Sequence, residues 1–194
     1  LAKALKGKRV CRYVEPGRRP TGPRPAPQDQ MAFLTQQYIH EGYKYVLTED
    51  LANAFGLLPK KAVIRELRVA RLSRQAANFV WRLARLDAVS AKTGKPNRYS
   101  KYMGVEQGGP LSALLMNLAL APILKAVAKA FPGRVRILAY VDDLYIFTRS
   151  QEDAEAIFEH FKRVARESGF KNVRGLRRPG ETQQPKASEI THVT

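Results

Sequence analysis

Two adjacent carboxylates, Asp142 and Asp143, stand between the apolar runs Leu138-Ala139-Tyr140-Val141 and Leu144-Tyr145-Ile146-Phe147. Flanks of this composition read as strands, so the spacing puts the acids at the tip of a tight hairpin. Like charges held there repel, and a bound cation is one way to offset the repulsion. Magnesium suits such a site because it takes oxygen ligands and prefers a few carboxylates plus substrate phosphates. For this pair alone, an ordinary acidic turn facing water is the competing reading. A third acid, Asp50, ends another strand-like run, Tyr43-Lys44-Tyr45-Val46-Leu47 followed by Thr48-Glu49-Asp50. Between the acidic segments lies Gln107-Gly108-Gly109-Pro110, where glycine permits close backbone approach to a ligand, or simply forms a loop before a helix.

The elements around these residues follow from periodicity. Pro59 opens a helical pattern to about residue 89, with Val63, Ile64, Leu67, Ala70, Phe79, Val80, Leu83 and Leu86 apolar and a break near Ser73. Arg65, Arg68, Arg71, Arg74, Arg82 and Arg85 lie largely elsewhere on its surface; each can track a nucleic-acid backbone or be merely solvated. Pro110 precedes a helix over about 111–130, and residues 134–140 and 144–148 read as the hairpin strands. Ser150 and Asp153 form a capping box for a helix to about Ser168, with a stripe of Ala154, Ile157, Phe158, Phe161 and Val164. This order predicts an α+β fold with helices on one face of an antiparallel sheet. Residues 1–30 hold five of the twelve prolines and read as a basic extended arm, with Arg18, Arg19 and Arg24 at its centre, and residues 31–194 as the core.

Three segments in this order resemble reverse transcriptases of the bacterial, retron and group II intron type, over roughly residues 24–190. Tyr140-Val141-Asp142-Asp143 is similar to the family's catalytic hairpin, and Gln107-Gly108-Gly109-Pro110-Leu111-Ser112 to its Gln-Gly-x-Pro-x-Ser loop. Asp50 corresponds to the first catalytic aspartate. The resemblance implies a right-hand polymerase palm with partial fingers and a two-metal nucleotidyl transfer. Asp50, Asp142, Asp143 and the backbone carbonyl of Leu51 would hold two magnesium ions, with manganese as a substitute. Phe55 falls where the family keeps a steric gate against a 2′-hydroxyl, a core phenylalanine being its bland reading. Gln107 and Gly108 would meet nucleotide and template. Arg24-Pro25-Ala26-Pro27-Gln28-Asp29 is loosely similar to a fingers motif, and Lys186 resembles the lysine after the last palm helix, with Lys171 as its alternative. The implied partners are an RNA template, a DNA or RNA primer and deoxynucleoside triphosphates. Nothing after Thr194 supplies a primer grip or thumb, so a thumb-containing segment is an expected partner.

Composition agrees with a polyanionic partner. With 34 Lys and Arg against 17 Asp and Glu, the formal charge is +17. The single cysteine, Cys11, excludes an intrachain disulfide framework and a cysteine-based zinc site, and no secretory signal is visible. The apolar run 111–124 is interrupted by Asn117 and Pro122 and reads as a core helix, not a membrane span. These features fit a cytoplasmic or organellar-matrix location without a membrane. A second function class fits the charge and the arm: an RNA-binding or scaffolding component of a ribonucleoprotein, such as an intron maturase or organellar ribosome. RNA-templated RNA synthesis on the same palm is a third, disfavoured by Phe55.

Overall fold

The computed structural model of the chain describes residues 11–13, 27–51, 53–85, 104–170, 173 and 189–193. The element order is β1 (Cys11–Tyr13), α1 (Pro27–His40), β2 (Tyr45–Asp50), α2 (Lys60–Val69), α3 (Arg74–Ala84), α4 (Ser112–Ala130), β3 (Val135–Tyr140), β4 (Asp143–Thr148), α5 (Gln151–Glu167) and β5 (Glu189–His192). One sheet runs β1-β3-β4-β2-β5; β1 is parallel to β3, and the other neighbours are antiparallel. This is an α+β fold. Two assignments differ from the sequence reading. Cys11–Tyr13, inside the expected arm, is a short edge strand, and the helix after the prolines starts at Pro27, where a missing backbone donor does no harm at a helix start.

The pleat sends alternate strand residues to opposite faces, and both faces are covered. Leu47, Val135, Ile137, Ala139, Leu144 and Ile146 join the main core with Val63, Leu67, Ala77 and Trp81 of α2 and α3, Leu115, Met116, Leu120 and Leu124 of α4, and Ile157, Phe158 and Phe161 of α5. Val46, Leu138 and Phe147, the alternate set, meet Leu34 and Tyr38 of α1 together with Tyr43 in a second cluster. The Tyr38 and Phe147 rings meet edge to face at 5.4 Å. The expectation of helices on one face is thereby corrected: α1 covers the other.

Local signals explain the helix ends. Ser73 caps α3 by accepting from the Ala76 N–H at 3.1 Å, so the long helical pattern divides where expected. Ser150 accepts from the Asp153 N–H at 3.2 Å and starts α5. Phe79 and Leu83, apolar members of the expected helical pattern, are exposed, because Ala77, Trp81 and Ala84 form the inner stripe of α3. In α4, Asn117 and Pro122 do not interrupt the helix, which is long and apolar enough by composition to cross a membrane; more than half of it is buried within this fold.

Candidate active site

The antiparallel register of β2 and β4 sets Asp50 opposite Asp143, and that of β3 and β4 sets Tyr140 opposite Asp143. Directly opposed positions share a sheet face. Positions 50, 143 and 140 therefore lie in one row across three strands. The same alternation sends Glu49 to the other face, where it is buried. Helix α1 covers Val46, Leu138 and Phe147 farther down the face and leaves Asp143 exposed. Tyr145 lies half-buried between, its phenol pKa raised by burial and secondarily by the Asp143 carboxylate, so it stays a neutral hydroxyl.

Two residues, Val141 and Asp142, connect β3 to β4. Val141 has φ +57°, a left-handed conformation that a β-branched residue seldom adopts. Positive φ at the first of two loop residues is what a two-residue hairpin matched to strand twist requires. Val141 also packs on the main core, which holds the strained residue in place. Asp142 is half-buried in this turn, beside exposed Asp143.

Backbone hydrogen bonds join the segment after β2 to the glycine loop. The Val105 N–H donates to the Phe55 carbonyl at 2.8 Å, the Gly104 N–H to the Leu58 carbonyl at 2.9 Å, and the Glu106 N–H to the Ala84 carbonyl at 3.0 Å. Gly104 has φ +88°, and a Cβ there would meet the Gly56 carbonyl oxygen at 2.7 Å, so only glycine allows this contact. Phe55 is half-buried and packs on the main core. The turn at Gln107 and Gly108 is exposed; behind it the Ser112 hydroxyl donates to the Glu106 carbonyl and ties the loop to the start of α4. Leu51, the residue after β2, is buried.

Asp50, Leu51, Asp142 and Asp143 are thus brought to one end of the sheet, and Phe55 is linked to the loop carrying Gln107 and Gly108. Arg18, Arg19, Arg24, Lys171 and Lys186 lie outside the described residues. Sequence reasoning missed Gly56, which lies in the turn after β2, and Gly104, whose signal was a glycine a few residues before the Gln107-Gly108-Gly109 loop. Among the described residues, no group of three or more His, Cys, Asp or Glu side chains is placed to hold a metal. The Asp50 side chain lies outside the described residues. Carboxylates and a backbone carbonyl offer oxygen donors, the chemistry that fits magnesium.

Residues 8–172 match the family described as reverse transcriptase (RNA-dependent DNA polymerase). The chain belongs to the reverse transcriptase family. A relative is the retrovirus-related Pol polyprotein from the type-1 retrotransposable element R2 of Nasonia vitripennis, 24% identical over a 136-residue alignment that covers 65% of this chain and 13% of that protein. Similar solved structures include an apo telomerase from Candida tropicalis, with TM-score 0.51, 14% identity, and coverage of 73% of this chain and 32% of that one. Telomerase from Candida albicans, in complex with a TWJ fragment of telomeric RNA, gives TM-score 0.52 and 11% identity over 80% of this chain and 30% of that one. The reverse transcriptase chain described here therefore spans about a third or less of these relatives' lengths, and the structural likeness is one of fold.

Proposed function

We propose that the chain is the fingers and palm part of an RNA-directed DNA polymerase, catalysing nucleotidyl transfer at Asp50, Asp142 and Asp143. The observation that carries this reading is the register of Asp50 opposite Asp143, with Asp142 in the adjoining turn. Strand residue and hairpin tip are far apart in sequence, and a sheet end is where they meet. In the reaction the primer 3′-oxygen bonds to the α-phosphorus of a deoxynucleoside triphosphate, and pyrophosphate leaves. Asp50, Asp142, Asp143 and the Leu51 carbonyl would hold two magnesium ions, which when bound activate the 3′-hydroxyl and neutralise the leaving group.

The remaining residues position the reactants, the main protein contribution in phosphoryl transfer. Phe55, anchored through its carbonyl to Val105, is suited to exclude a 2′-hydroxyl. Gln107 and the Gly108 backbone are suited to contact nucleotide and template from a loop braced by Ser112. Primer extension tests the reading. With a primed RNA template, magnesium, deoxynucleotides and the segments that complete the enzyme, the chain should extend the primer. Asp142→Asn should abolish extension and leave RNA binding intact, because it removes a metal-binding charge but also a negative charge near phosphates. Tight RNA binding with no extension by the completed wild type would replace this reading with that of an RNA-binding scaffold.

A further inference from the structure

The basic charge is concentrated on one helix pair. Residues 60–85 carry eight Lys and Arg against one acid, while the other 168 residues carry 26 against 16. That acid, Glu66, is paired with Arg65 at 2.8 Å. Among the described residues, Arg68, Arg71, Arg74 and Arg82 are exposed and make no ion pair. Surface helix α5 differs, with five acids to three cations. Solvation alone does not require the difference.

Two further observations mark this face as one that binds. Phe79 is 62% and Leu83 63% exposed, four residues apart on the outer side of α3 and therefore adjacent. The second lies in the backbone. Helices α1, α2 and α5 end in the same motif, in which a residue with positive φ follows the helix and two N–H groups close back onto its last turn. In α1 that residue is Gly42, with the Tyr43 N–H donating to the Tyr38 carbonyl; in α5 it is Gly169, with Phe170 donating to Ala165. In α2 it is Arg71, at φ +67°, with Leu72 donating to Leu67. An arginine stands where its two counterparts use the unstrained residue. Its side chain lies in the same basic series as Arg68 and Arg74.

We infer that the outer face of α2 and α3, built on Arg68, Arg71, Arg74, Arg82 and Phe79, docks single-stranded nucleic acid. Arginines supply phosphate contacts, and an exposed ring offers a base a stacking surface regardless of its sequence. This face is separate from the acidic hairpin. Helices α2 and α3 belong to the main core, on the opposite side of the sheet from the row containing Asp143. The chain's own first 26 residues are an unsuitable occupant, since they carry eight cations and one acid. The helix pair is joined to the glycine loop where the Glu106 N–H donates to the carbonyl of Ala84, the last residue of α3.

The inference does not depend on catalysis and is tested by binding. Unprimed single-stranded RNA and DNA of one sequence are titrated with the whole chain over a range of salt. Changing Arg68, Arg71, Arg74 and Arg82 together to Gln should weaken binding by about 100-fold near physiological salt and lower the log–log salt slope by about three. Phe79→Ala should cost about fivefold or more, and Asp142→Asn should not weaken binding. Arg71→Gly separates docking from folding, because it should raise Tm while weakening binding about threefold. The inference is overturned if the quadruple variant, folded by its circular dichroism, binds within twofold of wild type with an unchanged slope. It is equally overturned if Phe79→Glu dissociates a dimer of the wild type while RNA affinity stays unchanged; the face would then serve a second copy.

Discussion

Asp50 and Asp143 stand directly opposite each other across β2 and β4, the last and first residues of their strands. Like charges in opposed positions destabilise a sheet, and here Asp142 adds a third carboxylate one residue away. Asp143→Asn should therefore raise stability to urea in the presence of a chelator by up to about 1 kcal/mol. The same variant should lose most of the stabilisation that magnesium confers on the wild type. If wild type and variant are equally stable in chelator and gain equally from magnesium, the acids do not form a strained metal-binding row.

Strain at the hairpin tip predicts an inverted order of substitutions. Val141 is half-buried against the core at φ +57°. Shortening it to Ala loses packing and keeps the unfavourable backbone, whereas Gly loses packing and relieves it. Val141→Gly should be more stable than Val141→Ala by roughly 1 kcal/mol, the reverse of the usual ranking. Thermal unfolding of both variants decides the matter, and an Ala variant as stable as the Gly variant would argue against the turn geometry.

The contact between Gly104 and Gly56 should be intolerant of a single methyl group. Gly104→Ala combines positive φ with a Cβ placed 2.7 Å from a backbone oxygen, and should cost about 2 kcal/mol or more. Gly133→Ala is its control, since φ is +75° but no atom lies within 4 Å of the added Cβ. That change should cost roughly 1 kcal/mol. Equal destabilisation of the two variants would mean that Gly104 does not hold the loop against the segment following β2.

Much of the candidate site was legible because charges break apolar runs there. Asp142-Asp143 between two strands, and the acids ending β2, required only strand periodicity to place, and Ser73 and Ser150 announced their helices by side-chain capping. The register that pairs Asp50 with Asp143 was not legible, since it depends on which strands become neighbours. Strands β1 and β5, of three and four residues, are too short to show a period. Among the described side chains of helix α1, Leu34 and Tyr38 are buried amid many polar residues, so its amphipathic signal is weak. In α3, Phe79, Val80, Trp81 and Leu83 surround much of the helix with apolar groups, and composition could not tell the inner stripe from the outer.

Phe55 offers a test of selectivity independent of metal binding. In the completed enzyme, Phe55→Ala should raise the efficiency of ribonucleotide incorporation relative to deoxynucleotide by roughly tenfold or more, since it removes the bulk that excludes the 2′-hydroxyl. Steady-state kinetics with both nucleotide classes measures the ratio. An unchanged ratio would leave Phe55 as a core residue that anchors the segment after β2.

The central claim is that one divalent-metal site joins Asp50, Asp142 and Asp143. Its most direct test is a crystal structure of the chain soaked with manganese, using anomalous scattering to locate the ion. The account predicts a peak roughly 2.2 Å from carboxylate oxygens of both Asp50 and Asp142, with Asp143 beside them. Carboxyl groups of Asp50 and Asp142 more than about 8 Å apart, twice the usual spacing of paired metals, with no anomalous peak between them, would contradict it.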